Sequence, residues 1–195
     1  MRDLKRHGAI VGQVVRILHE RLTEGLVDDQ PAKADQLITH LGDFFRKVLT
    51  VQDKAVHPIQ EEIRLTEQYI AIMKGRFEEK LQVDFCIDKA ADQATTPILL
   101  FQPLVENAIQ YGMKHKNTCH AKISINRISN QLHCKVEDDG PGMAEGRFPQ
   151  QMGVGLHTVM SRLERLYPDK HQFSLQNKED GGLCIEIKFP YHAPA

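Results

Sequence analysis

Apolar residues recur at helical spacing along two stretches near the start of the chain. The first stripe consists of Val11, Val14, Val15, Leu18 and Leu22. The second consists of Ala34, Leu37, Ile38, Leu41, Phe44, Phe45 and Val48. Between them, TEGLVDDQP at 23–31 contains a glycine and a proline, which indicates a turn. The pattern predicts two amphipathic helices joined as an antiparallel hairpin.

The predicted hairpin has two apolar stripes and too little surface of its own to cover both. A second copy is the simplest partner, because two paired hairpins form a four-helix bundle. Residues 1–57 are therefore predicted to be a dimerisation and phosphotransfer-like domain of a homodimer. The alternative is that the hairpin packs on the rest of its own chain.

From residue 58 onward, helical and strand patterns are mixed. Helices are predicted at 58–77 and 155–167, and strands at 81–88, 120–128, 131–139, 171–177 and 182–190. Thr96 and Pro97 are predicted to open a further helical region, and Pro103 to kink it or to start its main helix afresh. Because strands and helices do not alternate strictly, the pattern predicts an α+β fold, with a two-layer α/β sandwich over 58–195.

Composition narrows the function classes only slightly. The chain has 195 residues, of which 41% are hydrophobic and 26% charged, and a net charge of −1. This charge gives no general attraction to nucleic acid or to an anionic membrane. No apolar run approaches the length of a membrane span and no signal peptide is recognised, so a cytoplasmic location is expected. The cysteines are scattered singly, which favours reduced core thiols over disulfides or a zinc site; they are Cys86, Cys119, Cys134 and Cys184.

Three short segments combine apolar structure with groups suited to a ligand. In FQPLVENAIQYG at 101–112, Glu106 and Asn107 stand side by side within helical spacing. In VEDDGPGM, Asp138 ends a predicted strand, where a carboxylate can accept a hydrogen bond from a ligand amino group. In GVGLHTVMSRLERLY, glycines precede a helix whose free N–H groups and dipole favour an anion. Each segment alone is more typical of a solvated helix face, a turn or a loop.

In this order and spacing, the three segments resemble the N box and the two glycine boxes of the ATPase superfamily that contains gyrase, heat-shock chaperones, histidine kinases and mismatch-repair proteins, the Bergerat fold. LLFQPLVENAIQYG, VEDDGPGM and GVGLHTVMSRLERLYP are similar to the catalytic domain of LytS-type sensor histidine kinases. LGDFFRKVL and IQEEIRLTEQYIAIMKGRFEEKLQVDFCID are similar to the second hairpin helix and the linking helix of that group. The resemblance thus covers most of the chain.

The resemblance implies a site for ATP and Mg²⁺ on the N-box helix. Glu106 would be the general base or the positioning group for phosphoryl transfer. Asn107 would complete the coordination of Mg²⁺ through its amide oxygen. Many kinases of the superfamily carry a lysine at the position of Gln110, which is neutral here, so Lys114 or Lys116 would contact phosphate instead.

The two glycine boxes are implied to hold the two ends of the nucleotide. Asp138 would accept the adenine amino group, which gives a preference for ATP over GTP. Gly140 and Gly142 would hinge a lid at 140–154 that is expected to be mobile without nucleotide. The phosphates would be held by Gly153, Gly155 and the N–H groups near Leu156.

The phosphoacceptor region departs from the group. LytS-type kinases carry the acceptor in an NPHFLFN segment of the first hairpin helix, and the corresponding segment here, GQVVRIL, has no histidine. His7 falls within the apolar stripe, which favours a packed role. His19 borders the stripe and is followed by Glu20, so His19 is the candidate phosphoacceptor. The alternative is that LHERL is an ordinary surface turn of a helix.

Two functions fit these expectations. The first is the core of a histidine kinase, which transfers the γ-phosphate of ATP to a histidine and then to an aspartate of a response regulator. The second is a nucleotide-binding signalling module with a degenerate phosphoacceptor, which binds or dephosphorylates a regulator or phosphorylates a partner chain. A serine kinase acting on an anti-anti-sigma factor would keep the nucleotide site without needing the hairpin. The family also suggests a membrane sensor region upstream of the cytoplasmic part.

Overall fold

The computed structural model describes residues 38–40, 42–44, 46–48, 50, 54–143 and 153–193. The predicted first hairpin helix lies outside these ranges, and so do His7, His19 and the greater part of the predicted lid. The predictions made for those residues therefore stay predictions.

Helices and strands alternate irregularly through the described chain from Val56 onward. The helices are α1 (Ile59–Phe77), α2 (Gln102–Lys116) and α3 (Val154–Leu166). The strands are β1 (Val56–Pro58), β2 (Leu81–Ile87), β3 (Thr95–Pro97), β4 (Cys119–Ile128), β5 (Gln131–Asp138), β6 (Gln172–Asn177) and β7 (Leu183–Pro190). The predicted α+β fold class is confirmed, and the longer elements fall where the periodicity predicted them.

The main sheet has five strands in the order β2-β4-β5-β7-β6. β2 runs parallel to β4, and the remaining neighbours are antiparallel. Alternate residues of a strand face opposite sides of a sheet. Here Ile123, Val136 and Ile185 are buried on one face, while the opposite face carries ion pairs such as Lys135–Glu186. Among the described residues, the helices therefore cover one face of the sheet, and β5 is its central strand.

α2 packs closely on the start of β4. A Cβ atom added at Gly112 would lie 2.9 Å from the Cβ atom of Cys119, so only a glycine lets the helix come this near. Leu104, Ala108 and Ile109 of α2 are buried in the core. The apolar side of the predicted N-box helix thus faces the sheet, as its helical spacing requires.

A small second sheet joins the beginnings of α1 and α2. β1 and β3 pair antiparallel, with His57 opposite Thr96 and Val56 opposite Pro97. The prediction that Thr96 and Pro97 open a helix is therefore wrong, because both lie in β3. α2 begins at Gln102 with Pro103 in its first turn, where the missing proline N–H removes no helical hydrogen bond.

The second helix of the predicted hairpin packs partly on its own chain. Residues 38–40, 42–44, 46–48 and 50 are helical. Phe44 and Val48 are buried, and the ring of Phe44 lies 6.3 Å from that of Tyr69 in α1. Ile38, from the same apolar stripe, is 47% exposed. Part of the apolar stripe is thus covered by α1, in line with the alternative that the hairpin packs on its own chain. Another part, at Ile38, is exposed and could contact a partner.

Two expectations from composition can be compared with the described residues. Cys119 and Cys134 are buried free thiols, as predicted, whereas Cys86 is exposed on β2. Cys86 is exposed because β2 lies at an edge of the sheet and alternates between its two faces. None of the described helices is long and apolar enough to cross a membrane.

Candidate functional site

The carboxylate of Asp138 lies at the end of the central strand β5 and is only 4% exposed. Its Oδ1 atom accepts hydrogen bonds from the backbone N–H groups of Gly140, at 2.8 Å, and Leu183, at 3.2 Å. Within the described chain, both donors bind the same oxygen, so Oδ2 keeps its acceptor capacity. Burial raises the pKa of this carboxyl, while the two backbone hydrogen bonds act against the rise. A fixed, buried carboxylate of this kind is suited to an amino group of a ligand.

Gly140 is tightly fitted beside this carboxylate. A Cβ atom at Gly140 would lie 2.9 Å from Oδ1 of Asp138, the oxygen that the Gly140 N–H binds. The absence of a side chain therefore lets the backbone turn back onto Asp138. The predicted hinge role of Gly140 is a separate matter and stays a prediction.

The hairpin between β6 and β7 approaches Asp138 from the other side. Gly182 has a φ of +96°, and a Cβ atom there would overlap the carbonyl oxygen of Asp138. Lys178 Nζ donates to that same carbonyl oxygen at 3.1 Å. The segment Asp180-Gly181-Gly182 lies in the loop that joins β6 to β7. Its second glycine is also needed for the close approach that brings the Leu183 N–H to Asp138.

Asn177 fixes the point at which the chain leaves the site. Its side-chain amide forms two hydrogen bonds with the backbone of Met143, each 2.7 Å long. Gly142 has a φ of +70°, and a Cβ atom there would lie 2.7 Å from Oδ1 of Asn177. Asn177 is not predicted as a site residue, because nothing in the sequence pairs it with a loop 34 residues away. The segment predicted to be a lid is thus anchored at Met143.

Glu106 and Asn107 lie in the middle of α2, both half-buried between the packed and the polar sides of the helix. Their neighbours Val105 and Ala108 are buried. A carboxylate and an amide at this boundary can reach a ligand while the helix stays anchored in the core. Both are oxygen donors of the kind that Mg²⁺ binds.

The last turn of α2 is basic, containing Lys114, His115 and Lys116. The Nζ atom of Lys116 donates to the carbonyl oxygen of Asp139 at 2.5 Å, so this lysine ties the helix to the end of β5. Lys114 is exposed. Both lysines considered for phosphate contact thus lie in the helix turn beside the end of β5, and Lys116 is held there by a structural partner.

The first turn of α3 presents backbone N–H groups without side-chain caps. Gly153 is the N-cap residue, the first turn contains no acidic residue, and the first helical bond runs from His157 N to Gly153 O. The N–H groups of Val154, Gly155 and Leu156 therefore precede the helical hydrogen-bond ladder. Leu156 has a buried side chain and can offer a ligand only its backbone. This arrangement is suited to an anion.

The three segments meet along α2. A Cβ atom at Gly155 would lie 3.2 Å from that of Pro103, which places the start of α3 beside the start of α2. A Cβ atom at Gly140 would lie 3.6 Å from the N atom of Gly112, which places the end of β5 beside the later part of α2. Pro103 and Gly112 are nine residues apart along the helix, a rise of about 13.5 Å. Glu106 and Asn107 lie between them.

The chain matches two families of known proteins. Residues 92–193 match the histidine kinase-, DNA gyrase B- and HSP90-like ATPases, and residues 21–81 match the histidine kinases. Because the first match covers more than half of the chain, the protein belongs to this ATPase family. The histidine kinases and DNA gyrase named in its description are also members of the superfamily whose N box and glycine boxes the sequence resembles.

Individual relatives narrow the comparison to sensor kinases. The chain is 30% identical over 164 residues to the sensor histidine kinase BtsS of Escherichia coli K12, covering 84% of this chain and 29% of that protein. It is 25% identical over 169 residues to the sensor protein LytS of Enterococcus faecalis, covering 81% and 29% respectively. The predicted resemblance to LytS-type sensor kinases is confirmed. The chain spans less than a third of the length of these relatives.

Solved structures agree on the fold. The catalytic domain of the histidine kinase ThkA matches with a TM-score of 0.56 at 17% identity, over 69% of this chain and 93% of that domain. ThkA in complex with the response regulator protein TrrA matches with a TM-score of 0.52 at 12% identity, over 98% of this chain and 64% of that one. At these identities the likeness establishes the architecture.

The close approach at Gly182 can be tested against the neighbouring glycine. Gly181 has a similar φ of +88°, but a Cβ atom there meets nothing within 4 Å. We expect Gly181→Ala to lower the free energy of unfolding by about 1–2 kcal/mol through backbone strain. Gly182→Ala should cost about 1–3 kcal/mol more, because the added methyl group forces the hairpin away from Asp138. Denaturant unfolding of both variants measures the difference, and equal losses would contradict the close approach.

Proposed function

We propose that this chain is the ATP-binding and dimerisation core of a sensor histidine kinase of a two-component system. It would transfer the γ-phosphate of ATP to a histidine and then to an aspartate of a response regulator. The observation that carries the proposal is the buried Asp138 carboxylate, with Oδ1 held by two backbone donors and Oδ2 left to accept. We divide the chain into a hairpin at 1–57 and a catalytic domain at 58–195.

Adenine recognition is assigned to Asp138. An ionised carboxylate is an acceptor only, so it can bind the exocyclic amino group of adenine. Guanine carries a carbonyl oxygen at the corresponding position, which a carboxylate repels. We therefore expect ATP to be preferred over GTP. Gly140, Gly142 and Met143 lie beside the bound base and lead into the proposed lid.

The phosphates and Mg²⁺ are assigned to the other end of α2. The backbone N–H groups of 154–156 are suited to the phosphates, and the Asn107 amide oxygen to the metal. Lys114 lies in the last turn of α2, beside the end of β5, so we assign it no phosphate contact. In the part of the chain that the structure describes, no group of three His, Cys, Asp or Glu side chains could hold a metal ion. We therefore assign most Mg²⁺ ligands to phosphate oxygens and water. Bound Mg²⁺ would neutralise the charge that develops on the phosphates.

Transfer requires a histidine to reach the γ-phosphate in line with the bond that breaks. A ring nitrogen would attack the γ-phosphorus as the bond to the departing ADP oxygen breaks. Glu106 would orient the acceptor ring or take up its proton, because it stands next to the proposed Mg²⁺ ligand Asn107. We propose a response regulator as the second partner, because a structurally similar kinase, ThkA, forms such a complex.

The second candidate function is supported by a specific feature of the sequence. The segment GQVVRIL contains no histidine at the place where LytS-type kinases carry the phosphoacceptor. A signalling module with a degenerate phosphoacceptor would keep the nucleotide site and act through regulator binding or dephosphorylation. In either case the chain would work in the cytoplasm, where ATP and the regulator are found, and any membrane attachment would come from a sensor region.

Replacement of Asp138 by Asn tests the adenine contact. The amide can turn a donor toward the adenine amino group and loses the negative charge, so we expect ATP affinity to fall by about 10–100-fold, as for one charged hydrogen bond. Glu137→Gln is the matched control, because Glu137 precedes Asp138 on β5, faces the opposite side of the sheet and loses the same charge. Calorimetric titration measures both, and unchanged affinity in Asp138→Asn would count heavily against the site.

Labelled ATP tests His19 as the phosphoacceptor. With Mg²⁺ present, we expect an acid-labile label on the wild-type chain and on His7→Gln, and none on His19→Gln, because phosphohistidine is lost in acid. Label on all three proteins would exclude His19. Label on none of them would favour the module with a degenerate phosphoacceptor.

Ile38 tests dimerisation through the hairpin. It is 47% exposed in the single chain, so a charge there should leave the monomer core intact while disfavouring a partner hairpin. We expect Ile38→Glu to weaken self-association by at least about tenfold, with nucleotide affinity unchanged. Leu41 and Phe45, on the same predicted stripe, should behave alike when replaced by charged residues.

Analytical ultracentrifugation measures this self-association. Lys47→Glu is the control, because Lys47 is exposed on the same helix and lies off the apolar stripe. A wild-type chain that is monomeric at about 50 µM, within the range of a modest interface, would defeat the proposal.

A further inference from the structure

Glu62 is a fully buried carboxylate in the first turn of α1. Its Oε1 atom accepts a hydrogen bond from Phe101 N at 2.9 Å, and its Oε2 atom accepts one from Leu99 N at 2.8 Å. The Nε2 atom of His57 donates to Oε2 at 2.7 Å. Burial of an unpaired carboxylate is very costly, so these three donors are what make the position tolerable. Both oxygens are used to hold one short backbone segment.

That segment, residues 98–101, has a strained conformation. Leu99 has a φ of +50°, a left-handed conformation that costs a non-glycine residue about 1–2 kcal/mol. The N–H groups of the turn are bound by Glu62 of α1. Its carbonyl groups are bound from α3, where the guanidinium of Arg162 donates to Ile98 O and Leu99 O. The turn is thus clamped between two helices through its own backbone.

The clamped turn leads directly into α2, which begins at Gln102. Glu106 and Asn107 lie about one turn after the start of α2. Because a helix is stiff, a displacement of its first turn also displaces these two residues. The same clamp reaches α3, whose first turn carries the proposed phosphate-binding N–H groups. The linking helix α1 is therefore joined by hydrogen bonds to the segment that leads into the metal and phosphate end of the proposed site. In the part of the chain that the structure describes, it has no such connection to Asp138.

α1 is also in contact with the hairpin. The ring of Tyr69 packs against Phe44 of the second hairpin helix, with both side chains buried. A shift of the hairpin helix would therefore move α1, and α1 would move the clamped turn. The contacts form a continuous path from Phe44 through Glu62 to the start of α2.

We propose that Glu62 is a positioning residue, which sets the placement of Glu106 and Asn107 and couples it to the position of the linking helix α1. The proposal rests on the proposed nucleotide function. If Glu62 only stabilised the fold, its replacement would affect the binding of both ends of the nucleotide alike. A positioning role affects the Mg²⁺-dependent part of binding and leaves the adenine contact at Asp138 in place.

Glu62→Gln keeps the size of the side chain but changes its hydrogen bonding. An amide has one oxygen and one NH₂ group, so either Leu99 N–H or Phe101 N–H must face a donor. Glu61→Gln is the matched control, because Glu61 is the adjacent residue and its ion pair with Arg64 lies at the surface. The affinity of the complete chain for ATP is measured by calorimetry, once with EDTA and once with Mg²⁺, at a temperature where all proteins are folded.

We expect the Mg²⁺-dependent gain in ATP affinity to fall by about tenfold or more in Glu62→Gln, since small misplacements of catalytic groups have effects of this size or larger. ATP affinity in EDTA should stay within about twofold of wild type, a difference below 0.5 kcal/mol. Glu61→Gln should match wild type in both conditions. An undiminished gain in Glu62→Gln, or an equal loss with and without Mg²⁺, would overturn the proposal.

Arg162→Lys provides the second variant if Glu62→Gln does not fold. A lysine keeps the charge but cannot present the planar fork of donors to both carbonyl groups. The same selective loss of the Mg²⁺-dependent gain is expected, and a wild-type gain in this variant would overturn the proposal. If the wild-type chain itself does not bind ATP, the proposed function fails instead, and the two failures are thereby distinguished.

Discussion

In the proposed site, Asp138 has to remain a carboxylate inside the protein while keeping one of its oxygens for a ligand. The surrounding backbone is arranged in a way that meets this constraint. Two N–H groups bind Oδ1, one from Gly140 in the loop after β5 and one from Leu183 at the start of β7. Each donor comes close enough only because a glycine stands where a side chain would collide, at Gly140 and at Gly182. The central strand, the following loop and the last hairpin are thus brought together at one carboxyl group.

α2 connects this carboxylate to the rest of the proposed site. The later part of α2 lies beside Gly140, and its beginning lies beside Gly155. The distance along the helix between these two points is comparable to the length of a nucleotide. Glu106 and Asn107 lie between the two ends. The start of α2 depends in turn on the backbone turn that Glu62 and Arg162 hold. The proposed adenine end is therefore fixed by the sheet, and the proposed phosphate end by the helices. These helices contact the second hairpin helix through Phe44 and Tyr69.

The sequence predicts the parts of this arrangement that depend on local spacing. Long periodic segments identified α1, α2, α3 and the strands of the main sheet, and the boxes identified Asp138 and the N-box pair. β1 and β3 have three residues each, too few for a period to be recognised. The role of Gly182 depends on Asp138, 44 positions away, and the role of Glu62 depends on backbone groups 37 and 39 positions away. No local sequence pattern contains residues this far apart. Glu62 in particular resembles any charged residue near a helix start until its backbone partners are known.

The central claim is that Asp138 recognises an amino group at one end of a bound adenine nucleotide. The most direct test compares ATP with inosine triphosphate on the wild-type chain, because the two differ in replacing the 6-amino group by a carbonyl oxygen. We expect ATP to bind at least about tenfold more tightly than inosine triphosphate, a difference equivalent to one charged hydrogen bond. Equal affinities for ATP and inosine triphosphate, measured by calorimetry in the same buffer with Mg²⁺, would contradict it.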